Sequence, residues 1–421
     1  MHRPLRLLSA IIIVMAIGAS SFAGGYVVGR DAPASGGVLS SSAEGPQSTA
    51  VAPPEAADRS FTVLEEAWRL IWQEYYKRTD VDPNKLSYGA IEGLVSSLGD
   101  PHTAFSTPQQ ARVDEDDLRG KFEGIGVTVE MREGKLTVVS PLADSPGARA
   151  GILPGDVIIQ VDGRDIAGMD MLDAVALIRG PRGTTVKLTI MRGDEKTPRN
   201  FEVVREEIKL VSVQAKMLDG AIAYVSISSF GANTNSELVG ELRSLLAQKP
   251  QGLVLDLRNN PGGLLDASVD VASQFLSEGV VLYEQRGGSE RQAFEVKEGG
   301  VAREIPMVVL INKGSASASE IVAGALQDHG RAKLVGERSF GKDTVQNVHT
   351  LSDQSSLRIT VAQWFTPNSQ DIHEKGLRPD VEVAVDEKAL EEGRDVQLER
   401  AVQVVKESRR TSALVIAAGK R

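Results

Sequence analysis

From about Lys209 onward, short apolar runs alternate with stretches of helical texture, and this constrains the fold more than anything else in the chain. The runs are "IAYVSI", "GLVLDLR", "MVVLIN" and "AKLVGE". Strands separated by helices pair in parallel, so the pattern predicts an α/β domain with a largely parallel sheet. In such sheets functional groups gather where strands end and turns begin. Three turns of this domain therefore stand out.

The first lies in "MVVLINKGSASASEIVAGAL", which predicts a buried strand from Met307 to Ile311, a turn of small residues, and a helix through Leu326. A hydroxyl at such a turn is exposed at the sheet end. The helix N-terminus beside it has free N–H groups able to stabilise an oxyanion. Ser315, Ser317 and Ser319 all occupy the turn. Serine is a good helix cap, so at least one is expected only to cap, and the residues alone do not rank the three. The second turn, "LDLRNNPGG", carries Gly262 and Gly263, which let backbone approach a ligand closely. By itself it reads equally well as an Asn-Pro-Gly turn.

The third turn, "VGERSFGKDT", nearly spells a phosphate-binding loop: Gly336, Gly341 and Lys342 have its spacing. The magnesium-binding hydroxyl is replaced by Asp343, and the following "DTVQNVHTL" predicts a strand where a P-loop opens a helix. Nucleotide binding is therefore rejected. A lysine fixed in a glycine-bounded turn between apolar strands can be partly buried, which lowers its pKa and frees a neutral amine as general base. A serine nucleophile needs such a base. The rival base is one of the five histidines, His2, His102, His329, His349 and His373, in a Ser-His-Asp arrangement. Only His102 sits beside a conspicuous carboxylate partner, Asp100, in a glycine-bearing segment, "GDPHT", which reads more simply as a turn.

The remaining chain supplies the setting. Arg3 and Arg6 precede an uncharged run, Leu7 to Gly29, long enough to span a bilayer, which takes about 20 apolar residues. Residues 1–30 are expected to be an anchor with the rest outside the cytoplasmic membrane. A signal peptide cleaved near Ser21 and Ala23, leaving a periplasmic or secreted protein, is the competing reading. Residues 31–58, rich in Pro, Ala, Ser and Gly, form a flexible linker. In 59–117, a helical region, Phe61, Leu64, Trp68, Ile71 and Tyr75 make one apolar stripe, facing either a core or a partner. A second helix covers Tyr88 to Leu98. Residues 118–207 change to short strands and turns, with a short helix in "MLDAVALIRG", a compact mixed domain. The α/β domain runs over 208–390. Leu390 to Arg409 predicts an amphipathic helix with Leu398, Ala401, Val402 and Val405 on its apolar face. The formal charge of −10 argues against nucleic acid as a partner, and the lack of cysteine excludes disulfides and thiolate chemistry.

Taken in order, "KLSYGAIEGLVSSLGDPHTAF", "FEGIGV", "AGILPGDVIIQVDG", "LDLRNNPGGLLD", "NKGSASASEIVAGALQDHGRAKLVGERSFGKDTVQ" and "GLRPDVEV" resemble the carboxyl-terminal processing peptidases, or tail-specific proteases, from about Phe61 to Ala401. The resemblance implies a ClpP/crotonase-like α/β core with an inserted PDZ domain, and a serine endopeptidase with a Ser/Lys dyad and no cofactor or metal. By position in the motifs, Ser317 would be the nucleophile, Lys342 the general base and Gln346 the residue that orients it. The backbone N–H groups of Ala318 and Gly263, preferred over Gly262, would form the oxyanion hole. In the PDZ domain, Gly124, Ile125 and Gly126 would hold a substrate's C-terminal carboxylate, and Val127, Val175 and Ile178 with Ile125 would line a groove for apolar tails. Arg179 would couple tail binding to the active site, with a plain role in capping the helix end as the rival. In this family the terminal helices often make a homodimer, which the residues leave open. A silent PDZ scaffold and a Ser-His-Asp hydrolase remain the alternatives.

Overall fold

The computed structural model describes residues 25–27, 55–193 and 195–418. The apolar N-terminal run and the linker fall almost entirely outside them; Gly25–Val27 is a short strand. Among the described residues no helix is long and apolar enough to cross a membrane. The chain divides into a small unit, Gly29–Gly99, and a larger one that includes Asp100–Arg421.

The small unit has two helices, Glu55–Glu74 and Pro83–Ser96. The second begins where Asp82 accepts the amides of Asn84 and Lys85 and Pro83 fixes the first turn. On the first, Phe61, Leu64, Ile71 and Tyr75 remain exposed, so the stripe is not a core face.

In the larger unit the four apolar runs form the expected parallel strands, Ile222–Ile227, Gly252–Asp256, Met307–Ile311 and Lys333–Gly336. They lie side by side in that order, with Val213–Leu218 antiparallel at one edge and Val381–Glu382 parallel at the other. Gly252–Asp256 and Met307–Ile311 are buried at every position, as strands covered on both faces must be. Three helices, Thr234–Ala247, Leu265–Ser273 and Ala318–Asp328, connect the strands and share the main core with Phe230, Phe275 and Trp364. On the opposite face Ala401, Val404 and Val405 pack over Val254, Val308 and Leu310. These residues belong to Val396–Ala418, preceded by a separate helix, Glu387–Glu391. The expected single helix from Leu390 to Arg409 is thus broken, because Gly393 turns the backbone at φ 79°.

A second sheet stacks Thr344–Thr350 against Ser356–Phe365, then Val280–Gln285 and Gln292–Glu295, with Ala104–Ser106 beside Ser356–Arg358. The mixed domain is a five-strand antiparallel sheet from Val127–Arg132 to Arg199–Val204, with the short hairpin strand Arg164–Asp165 and the helix Met171–Ile178. It has its own core of Leu136, Val138, Ile158, Val186, Leu188 and Ile190. It joins the α/β domain through a two-stranded ribbon, Lys121–Gly124 against Glu206–Lys209. The helix Pro108–Leu118, expected with the N-terminal helical region, belongs instead to the larger unit. Gln110 Nε2 donates to Asp173 Oδ1 at 3.1 Å, and Arg179 pairs with Asp117.

Candidate active site

Ser317 heads the helix Ala318–Asp328 with φ 53° and ψ −115°. Few non-glycine residues adopt this conformation, and those that do cluster where a side chain must be presented. The neighbouring serines resolve what the sequence left open. Ser315 Oγ donates to Leu257 O at 2.8 Å and accepts from Asn312 N at 3.0 Å. Ser319 Oγ donates to Asn260 O at 2.9 Å. Both clamp the two turns together. Ser317 shares a capping box with Glu320, yet its Oγ, unlike those of its neighbours, donates to no described group of the facing turn, so of the three its hydroxyl proton alone is left for chemistry.

The facing turn is held rigidly. Asn260 Nδ2 donates to Ile227 O, and its Oδ1 accepts Gly262 N at 2.9 Å. Asn259 and Asn312 exchange amide hydrogen bonds at 2.8 Å. Phe230 N donates to Gly262 O and Leu264 N to Phe230 O, which turns the Gly263 amide to the other side. The Gly263 and Ala318 amides donate to no other described group. A Cβ on Gly262 would lie 2.9 Å from Ser317 Cβ and 3.0 Å from Ala318 N, so this turn abuts the serine. One unengaged amide, that of Ala318, thus adjoins Ser317, and another, that of Gly263, belongs to the turn that abuts it; unengaged donors are what an oxyanion requires.

Lys342 is 1% exposed, in the turn that feeds the strand Thr344–Thr350. Its Nζ donates to Gln346 Oε1 at 2.9 Å. Burial, helped by the positive charge of Arg358 and opposed by Asp100 and Glu320, lowers its pKa to about 7. No hydrogen bond joins Lys342 Nζ to Ser317 Oγ in this structure; the two are linked through backbone. Glu320, fully buried, accepts Ser317 N at 2.8 Å and Lys342 N at 2.9 Å on Oε2, and Gly341 N and Ser339 Oγ at 2.6 Å on Oε1. Burial pushes its carboxyl up to about 7, with those four donors pulling the other way. The sequence reading missed Glu320. Its signal was the spacing of "SASE", the signature of a serine cap with an acid three residues on.

Among the described residues no histidine hydrogen-bonds Ser317 or the Lys342 amine, and His2 lies outside them. His102 lends its backbone N–H, not its ring, to Asp100. His329 Nε2 meets Val280 O. His373 Nδ1 pairs with Asp343 Oδ1 at 2.7 Å, a partnership across thirty residues that sequence reasoning missed, but no hydrogen bond links either to Ser317.

In the mixed domain, Ile125 and Ile178 are core residues, whereas Val127 and Val175 are half-buried. Gly126, at φ 66°, and Ile125 have amides that donate to no other described group, while Ile125 O and Gly126 O accept Gly147 N and Leu142 N. Gly124 ends the connecting ribbon. Arg179 turns away from the helix it ends. Its guanidinium pairs with Asp117 at 2.7 Å, donates to Val113 O and lies 4.2 Å over the Phe122 ring. The carbonyls of Leu177 and Ile178 are capped instead by Arg205.

The profile of peptidase family S41 matches residues 221–383, that of the PDZ domain 137–192, and that of the activating protease CtpB N-terminal domain 15–108. The carboxy-terminal processing protease CtpA of Bacillus subtilis is 39% identical over 77% of this chain and 69% of its own length. The carboxy-terminal-processing protease of Bartonella bacilliformis is 41% identical over 72% of this chain and 70% of its own. This chain belongs to the carboxy-terminal processing peptidases. It is a serine-type peptidase with a PDZ domain, of the kind that takes protein C-termini as substrates. Among solved structures, a photosystem II D1 C-terminal processing protease is 30% identical over 77% of this chain and 92% of its own, with a TM-score of 0.48.

Proposed function

We propose that the peptidase works with a Ser317/Lys342 dyad on proteins whose apolar C-terminal tails are captured by the PDZ domain. The observation that carries this reading is the division of labour among three buried serines. Ser315 and Ser319 are hydrogen-bonded to the facing turn, while Ser317 Oγ donates to no described group, adjoins the unengaged Ala318 amide, and is tied through Glu320 to the backbone of a buried lysine of lowered pKa. Ser317 Oγ attacks the peptide carbonyl as Lys342 takes its proton. The oxyanion is held by Gly263 N and Ala318 N. Lys342 then protonates the leaving amine, and water, deprotonated by the same lysine, hydrolyses the ester. Gln346 Oε1 keeps the amine directed, and substrate entry closes the remaining gap between amine and hydroxyl, since such contacts tighten in the Michaelis complex.

The tail would add as a strand along Val127–Arg132, its carboxylate on the Ile125 and Gly126 amides and its apolar side chains near Val127 and Val175. Arg179, held now by Asp117, is suited to respond when a tail docks beside Phe122. The basic flank and uncharged run at the N-terminus support a location outside the cytoplasmic membrane. The exposed stripe from Phe61 to Tyr75 supports pairing with a second copy. The test is cleavage of a peptide with a free apolar C-terminus against its amide. We expect clear preference for the free acid and no turnover by S317A or K342A. Full turnover by K342A would overturn the dyad, and equal cleavage of acid and amide would overturn tail recognition.

A further inference from the structure

The "GDPHT" turn contributes no atom to the steps above, yet it is wired to the base. Asp100 Oδ2 accepts Thr103 Oγ1 at 2.6 Å and Oδ1 accepts His102 N at 2.9 Å. Thr103 Oγ1 in turn accepts Thr360 N at 3.1 Å, which fastens the turn to the strand Ser356–Phe365. On the same strand Thr360 Oγ1 accepts from Gln346 Nε2 at 3.2 Å, and Thr344 Oγ1 accepts from it at 2.9 Å. Gln346 Oε1 then faces Lys342 Nζ.

The polarity of this chain follows from its end. An ionised carboxylate only accepts, so Thr103 gives its proton to Asp100 and its lone pair to Thr360 N, and the Thr360 hydroxyl, which helps lower the Asp100 pKa, offers its lone pair to Gln346. The Gln346 amide must then point its NH₂ at the threonines and its oxygen at the lysine. With a neutral amide at position 100 the seat of Thr360 is loosened, and Thr344 alone is left to hold the Gln346 NH₂ away from the amine. Burial disfavours the charge on Asp100, but Thr103, Thr360 and the His102 amide more than offset this and keep its pKa below the ordinary value. The charged groups bearing on Lys342 are Asp100 and Glu320, which favour its protonated form, and Arg358, which opposes it. His102 lies nearby and is itself depressed by burial and by Lys342. Asp343, next in sequence, is paired with His373.

We propose that Asp100 is a positioning residue for the general base, acting through Thr360 and Gln346 to fix the direction of the Lys342 amine. It rests on the reading of Lys342 as base, so K342A is measured beside it. The experiment is the pH profile of kcat and kcat/KM of the full chain on a peptide with a free apolar C-terminus. D100N should lower kcat about ten- to a hundredfold with KM within about threefold, the scale of a misdirected catalytic group. Its acid limb should move to lower pH, because one of the two charges that favour protonated Lys342 is gone. T360V should lower kcat similarly, and T360S, which restores the hydroxyl, should recover most of the loss. An inactive K342A with D100N at wild-type kcat and an unmoved acid limb overturns this proposal and spares the dyad. A fully active K342A sinks the dyad itself. Should D100N fail to fold, equal turnover by T360V and T360S overturns the proposal.

Discussion

Two turns in this molecule leave backbone amides unengaged, and they are built to different standards. At Gly262–Gly263 the backbone is fixed by side chains from three directions: Asn260, the Asn259–Asn312 pair, and the hydroxyls of Ser315 and Ser319. At Ile125–Gly126 the hydrogen bonds that brace the loop come from backbone, from Leu142 and Gly147. The difference fits the roles proposed for the two turns. Transition-state charge is stabilised only by donors already in place, since movement at the moment of reaction costs the gain. A tail carboxylate arrives with a strand attached, so the loop that receives it can adjust as the strand pairs.

The contrast can be broken at the catalytic turn first. S317A should reduce kcat by about 10⁴- to 10⁶-fold while tail binding persists, read by single-turnover assay and by peptide titration. Next, G262A places a Cβ 2.9 Å from Ser317 Cβ and from Ala316 O at φ 107°, where the turn cannot give way. A loss of about 10²- to 10³-fold in kcat is expected, and near-normal kinetics would mean that the turn is softer than its hydrogen bonds imply. E320Q turns an acceptor of four donors into one that presents NH₂ to some of them. It should cost about 2–4 kcal/mol in chemical denaturation and roughly tenfold or more in kcat. Acidification tests the base without mutation. Lys342 acts only when neutral, so with a pKa of about 7 kcat/KM should fall about tenfold per unit below that pH and level off above it. A flat profile from pH 5 to 8 would contradict the buried lysine as base. The smallest effect belongs to the recognition turn. G126A, at φ 66° and with its Cβ 2.5 Å from Ser145 Cβ, should raise KM for a tailed peptide about tenfold with little change in kcat. An equal fall in kcat would erase the distinction between the two turns.

What the sequence disclosed follows the same division between local and distant. The four parallel strands were legible because each is a continuous apolar run bounded by turns, and the burial of Lys342 was legible because glycine and a β-branched strand bracket it. Ser317 could be singled out only by resemblance, since Ser315 and Ser319 have the same local surroundings; what separates them is the turn nearly sixty residues earlier that two of them grip. Glu320 was hidden because its donors at Ser339, Gly341 and Lys342 arrive from another segment, and the Asp343–His373 pair was hidden for the same reason. The split before Val396 was missed because an apolar stripe shows periodicity but not the one glycine whose backbone departs from it.

The ribbon of Lys121–Gly124 and Glu206–Lys209 brings the chain into the PDZ domain and out again at adjacent positions, Lys121 beside Lys209. The reader of tails is therefore a cassette. Its coding segment can be exchanged, or its loops diversified, without altering the path of the peptidase chain on either side. New substrate repertoires can arise in this architecture by replacing one contiguous stretch while the hydrolytic machinery is inherited whole.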